Sequence, residues 1–111
     1  MGKKGAKLTG DAEAAAQGFV ARVGSIGDVS SKKMFGGVDV FESGTMFGIV
    51  DSAGHLFLRS GPGNEALFEE HGSSRHGKMP YFSIPAAVLS DDAALVEWAS
   101  LAAQAAHAAK K

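Results

Sequence analysis

The sequence predicts an α+β domain built on a mainly antiparallel sheet, and three observations carry that expectation. Apolar residues near the N-terminus recur at three- and four-residue steps. In the middle of the chain they alternate at period two between glycine-containing turns, and towards the C-terminus the helical spacing returns. Helices set apart from a run of closely connected strands mark this class of layered architecture.

The first helical pattern opens near Thr9, with Thr9 or Gly10 as its cap. Asp11 and Glu13 then fall in the first turn, where the helix dipole favours carboxylates. Ala12, Ala15, Ala16, Phe19, Val20 and Val23 form the apolar stripe, with Phe19 as its anchor, and Gly24 and Gly27 stop it. Residues 1–8 read as a mobile lead-in to a single domain over residues 9–111.

Val38 and Val40 alternate with Asp39 and Phe41 before a turn at Glu42-Ser43-Gly44. Thr45 to Asp51 is apolar on both alternating faces, Phe47 and Ile49 on one and Met46 and Val50 on the other, as expected of a central strand covered on each side. After the turn Asp51-Ser52-Ala53-Gly54, Leu56 and Leu58 alternate with Phe57 and Arg59, so the segment reads as an antiparallel meander. Asn64 to His71 is a short helix with Leu67 and Phe68 inward and Gly72 as its stop. Pro80 and Pro85 bound a further strand at Tyr81-Phe82-Ser83-Ile84. Ser90 then caps a long helix that opens on Asp91 and Asp92 and ends on His107, Lys110 and Lys111. Its inward face is Leu95, Trp98, Leu101, Ala102 and Ala105.

At 111 residues the chain has room for one core, burying roughly 65% of its unfolded surface. With 45% hydrophobic and 21% charged residues it has the apolar content to fold. A net charge of −1 argues against a generic, charge-driven grip on nucleic acid or anionic lipid, but leaves room for a local basic patch. The absence of cysteine removes disulfides, thiolate nucleophiles and cysteine-based zinc sites. No apolar run approaches the roughly 20 residues of a membrane span, and the basic N-terminus leads into Asp11 and Glu13 rather than an apolar signal core. The expected location is the cytoplasm.

Several blocks occur in an ordered series: Lys33-Met34-Phe35-Gly36-Gly37, Met46-Phe47-Gly48, Leu56-Phe57-Leu58-Arg59, Leu67-Phe68-Glu69, Met79-Pro80-Tyr81-Phe82 and Glu97-Trp98-Ala99. In that order the chain resembles the TfoX (Sxy) N-terminal domain family of bacteria. The resemblance implies a compact α+β domain of α-β-β-β-α-β-β-α order, similar to the fold of secretion chaperones. It also implies a relation to regulators of natural competence, in which such a domain precedes a helical C-terminal domain. This chain ends before a counterpart of that second domain and reads as a stand-alone member. The resemblance carries over no catalytic residues; Met34, Phe35, Gly36, Gly37, Phe47 and Gly48 are its signature, read as structural.

The chemistry of the residues agrees. Gly36-Gly37 matches neither the P-loop nor the dinucleotide fingerprint and reads as a bend or bulge between strands, with Met34 and Phe35 in the core. His71 and His76 lack a recognised ligand spacing, His107 suits a helix terminus, and no Gly-x-Ser-x-Gly elbow appears. The expectation is therefore no enzyme, no cofactor and no metal. Lys32, Lys33, Arg59, Arg75 and Lys78 beside Phe57 or Tyr81 are the candidate interaction surface; gathered together they would serve nucleic acid as a transcriptional regulator does. If the helices lie mainly on one side, some of Phe41, Met46, Val50 and Phe57 form an apolar patch for a homodimer or a regulatory protein partner.

Overall fold

The computed structural model describes residues 4–34 and 36–110. Helix α1 (Lys4–Val23) leads through a 3-10 turn into four consecutive strands, β1 (Val29–Met34), β2 (Gly37–Glu42), β3 (Thr45–Val50) and β4 (Leu56–Arg59). Helix α2 (Glu65–Glu70), strand β5 (Tyr81–Ser83), the single-turn α3 (Ala86–Leu89) and the long α4 (Asp92–Lys110) follow. The sheet order is β1-β2-β3-β4-β5, every neighbouring pair antiparallel. The α+β class and the meander are thus as expected, with four strands ahead of α2 and one behind it.

Local details differ. Helix α1 begins at Lys4, so Thr9 and Gly10 lie inside it rather than capping it, and its first turn holds no acidic residue. Of the expected lead-in, residues 1–3 lie outside the described residues, as does Phe35. Ser90 closes α3, while Asp91 caps α4 by accepting the backbone N–H groups of Ala93 and Ala94. Either residue type suits a cap, and only the extra turn of α3 decides between them.

Chain reversals follow from local chemistry. Glu42 pairs with Thr45 around Ser43 (φ 51°) and Gly44 (φ 83°), the two positive-φ positions of a type I′ hairpin. Gly37 is a different case: a Cβ there would run into the Val50 carbonyl oxygen, so only glycine lets β2 start beside the end of β3.

All the helices pack on one face of the sheet. Phe47, wholly buried, meets Phe19 of α1 with ring centroids 6.1 Å apart. Val38, Val40, Val50 and Leu58 join it beneath Ala12, Ala16 and Val23 of α1 and Leu95, Ala99 and Ala102 of α4. Alanine on both helices lets their backbones lie close to the strands. Phe68 of α2 stacks on Phe82 at 5.2 Å and meets Trp98 in a T-shaped contact at 5.3 Å, which closes the far end. Leu101 and Ala105 are only half-buried, and Ala99 and Ala106 take their inward places.

A β-bulge overturns the expected alternation of β3. Val40 pairs with Gly48 but Phe41 with Met46, which leaves Phe47 without an opposite number. One extra residue inverts the face of everything beyond it. Phe47 and Val50 therefore share the core, and Met46 and Ile49 share the opposite face. Strand β3 is central, as expected, but no described helix covers its second face.

The free end of α4 is tied down by His107, whose Nε2 lies 2.6 Å from Glu42 Oε1, while Ser43 Oγ donates to Glu42 Oε2 at 2.7 Å. The Ser43 hydroxyl and His107 together hold the Glu42 carboxyl below its ordinary value of 4.5. His107 is therefore a tie between helix and hairpin, more than a favourable charge at a helix end.

Two outcomes are expected. Phe47→Ala lowers unfolding free energy by about 3–5 kcal/mol in denaturant titration, with the slope little changed. Because Glu42 is lowered in the folded state, its contribution is present above pH 4.5 and is lost as pH falls through the lowered value. The difference in urea midpoint between wild type and Glu42→Gln should accordingly shrink as pH drops below 4.5; a difference constant with pH would contradict the assignment.

Candidate docking surface

The helix-free face is built from the alternate residues of each strand. In register across it run Lys32, Asp39, Ile49, Phe57 and Ser83, one from each strand in order. A second row brings Ser30, Phe41 and Met46 together. The segment after α2 folds along the β5 edge: Ser83 N–H donates to the Ser74 carbonyl, and His76 N–H to that of Tyr81. This places the His76 ring on Phe57 at 4.5 Å and brings Met79 over the sheet.

Between these residues lies an open groove of about 560 Å³, lined by Met34, Met46, Ile49 and Met79 with Asp39 and His76. Met34 and Met79 are 46% and 42% exposed, the exposed large apolar side chains among the described residues. The expectation that Met34 is a core residue is thereby corrected. On the two-residue period of β1 it falls on the same face as Lys32, away from the helices. Of the expected apolar patch, Phe41, Met46 and Phe57 lie on this face, whereas Val50 lies in the core and Ile49 takes its place.

Two carboxylates border the groove, and their surroundings differ. Burial alone would raise Asp51, but the backbone and ring of His55 and the backbone N–H of Ala53 donate to it and hold it low. Asp39 has no such donors. Burial pushes its carboxyl up, and no ion pair or hydrogen bond offsets this among the described residues. Asp39 is thus a partly buried carboxylate of this face with no ion pair or hydrogen bond among the described residues.

The basic residues do not form one patch. Lys33 points to the helix side and pairs with Glu13 of α1 at 3.2 Å. Lys32 stands on the edge strand, three strands from Phe57, about 14 Å away at the usual strand spacing. The Arg59 guanidinium lies 5.9 Å from the Tyr81 ring centroid and donates to the Ser60 carbonyl. Arg75 is spent on the carbonyls of Met79 and Lys78, bracing the loop. Tyr81 is buried, which raises its hydroxyl, and it donates to the Met46 carbonyl at 3.4 Å.

The histidines are dispersed. His55 meets Asp51, His71 the Leu67 carbonyl, His76 the Phe57 ring and His107 Glu42. Among the described residues no group of three His, Asp or Glu side chains is placed to hold a metal ion. Ser43, Glu42 and His107 are neighbours in the wrong order for nucleophile activation, because the hydroxyl donates to the carboxylate and not to the imidazole.

The family model of the TfoX N-terminal domain matches residues 21–106, from the end of α1 through nearly all of α4. The chain belongs to the TfoX N-terminal domain family. No curated protein matches it. The signature residues of this TfoX N-terminal domain divide between two jobs: Phe47 and Gly48 lie in the core and Gly37 permits a close approach, while Met34 borders the groove. No described helix is long and apolar enough to cross a membrane.

Asp39 was within reach of sequence reasoning. Asp39 interrupts an apolar strand between two valines that both face the core, which places it on the other side. Met79 and His76 carry no periodic signal, because an irregular loop brings them in. If Met34 and Met79 serve binding rather than folding, Met34→Ser with Met79→Ser should leave the melting midpoint within the small range of ordinary surface changes, about ±0.5 kcal/mol. The pair should at the same time lower binding of the apolar dye ANS; a large loss of stability would return both residues to the core.

Proposed function

We propose that this TfoX N-terminal domain is a non-enzymatic regulatory module that acts in the cytoplasm by docking a protein partner on its helix-free sheet face. One observation carries the reading: the exposed large apolar side chains, Met34 and Met79, border the same groove that Met46 and Ile49 line. A sheet normally buries both faces of a strand as apolar as β3, and the second face here is left to another molecule. Methionine suits that use, since its flexible, polarizable side chain adapts to a partner's contour. The mechanism is burial of apolar surface, with no bond made or broken. The division of the cations between two faces favours this reading over charge-driven binding of nucleic acid.

The test places a photo-cross-linking residue at Met46 or, on the exposed side of α1, at Gln17 in the native cell. Protein adducts are expected from position 46 and not from position 17, and Met79→Glu should abolish them. Adducts that nuclease removes, or equal adducts from both positions, would overturn the proposal.

A further inference from the structure

The dimensions and charge of the groove say more about its occupant, and this step rests on the docking reading above. We infer that the partner element seated there is an amphipathic helix whose apolar stripe is interrupted at its midpoint by one lysine or arginine, placed to meet Asp39.

The length follows from the register. Met34 pairs with Gly37 at one end of the groove and Met46 pairs with Phe41 at the other, with Asp39 midway along β2. Four residues of strand span about 14 Å. The same distance is about nine residues of α-helix at 1.5 Å each, so apolar anchors at i and i+8, about 12 Å apart on one face, come close to the two ends and residue i+4 falls over the middle. These methionines stand too far apart along the strands for a single ion to be their common ligand.

The secondary structure of the occupant follows from hydrogen bonding. The groove lies on a sheet face, where side chains and not ladder groups are presented. An extended segment laid there would leave its own N–H and C=O groups without partners, whereas a helix satisfies them internally. A helix would also supply the missing third layer of the fold.

The charge follows from Asp39. Covering the groove with a purely apolar helix would bury that carboxylate further with nothing to pair it, a costly step that a cation on the partner removes. The groups around it do not supply the pairing: Lys32, its cross-strand neighbour, makes no ion pair with it, Asp51 is itself anionic, and the His76 ring lies tilted against Phe57. The same charge disfavours a second copy of the chain as occupant. A two-fold face-to-face contact centred on this groove would set Asp39 against its own symmetry mate, like charges in a drying interface.

The experiment is a phage-displayed library of amphipathic helices, all residues allowed at the midpoint of the apolar stripe, selected against the whole domain. Enrichment of lysine or arginine at that position is expected, and the selected peptides should bind wild type about tenfold more tightly than Asp39→Asn. Met46→Glu should abolish their binding with the melting midpoint retained. Selected helices with a neutral or acidic midpoint, affinity unchanged by Asp39→Asn, or no enriched helix at all would overturn the inference. So would a concentration-dependent dimer in sedimentation that Met46→Glu dissociates. If the cross-links at position 46 form while these peptides fail, the docking reading stands and only the identity of the occupant falls; if the cross-links fail, the docking reading itself falls.

Discussion

The packing of Phe47 against Phe19, under two alanine-rich helices, is the contact on which the rest of this molecule depends. It joins the first helix to the central strand, and with Val38, Val40, Val50 and Leu58 it gives the sheet one thoroughly buried face. Helices α1 and α4 lie low on that face because their inward positions are mostly alanine, and small side chains leave no room for a second layer between helix and strand. Both helices are committed to this one side, so among the described residues the opposite face of the sheet is covered by no helix, only in part by the loop that carries His76 and Met79. A one-sided core is the cause, and the groove is its consequence.

A soluble domain with an uncovered sheet face ordinarily makes that face polar. Here β1 does so only in part, with Ser30 and Lys32 beside the exposed Met34, while the three strands inside it present Phe41, Met46, Ile49 and Phe57. Asp39, on the same face, makes no ion pair or hydrogen bond among the described residues, although Asp51 a short distance away has several donors. On the docking reading proposed above, such a carboxylate amid apolar surface would make the face selective, because it penalises any occupant unable to answer the charge.

Much of the fold was legible beforehand. The helical stripes, the turn at Glu42-Ser43-Gly44, the Asp51 to Gly54 turn and the proline-bounded strand at Tyr81 all rest on interactions within a few residues, and local chemistry is what a sequence displays. The candidate surface was legible only in part. Phe41, Met46 and Phe57 were expected on a free face and are there. The lysines and arginines do not gather into one patch, because Lys33 sits on the other side of the sheet beside Glu13, a partner twenty residues away in sequence. Met79 and His76 arrive on a loop whose path depends on backbone bonds to β5, and no pattern in residues 73–80 announces it.

The sequence by itself determined the class of the domain, the order of its elements and its family, because period, turn residues and ordered motifs are properties of neighbours along the chain. Tertiary structure alone decided which residues share a face. A single unpaired residue at Phe47 moved Val50 into the core and Ile49 out to the groove, reversing the alternation that the strand displays when read alone. The reason is physical: a side chain's direction in a strand depends on its count from the last irregularity, and a bulge is set by pairing with another strand.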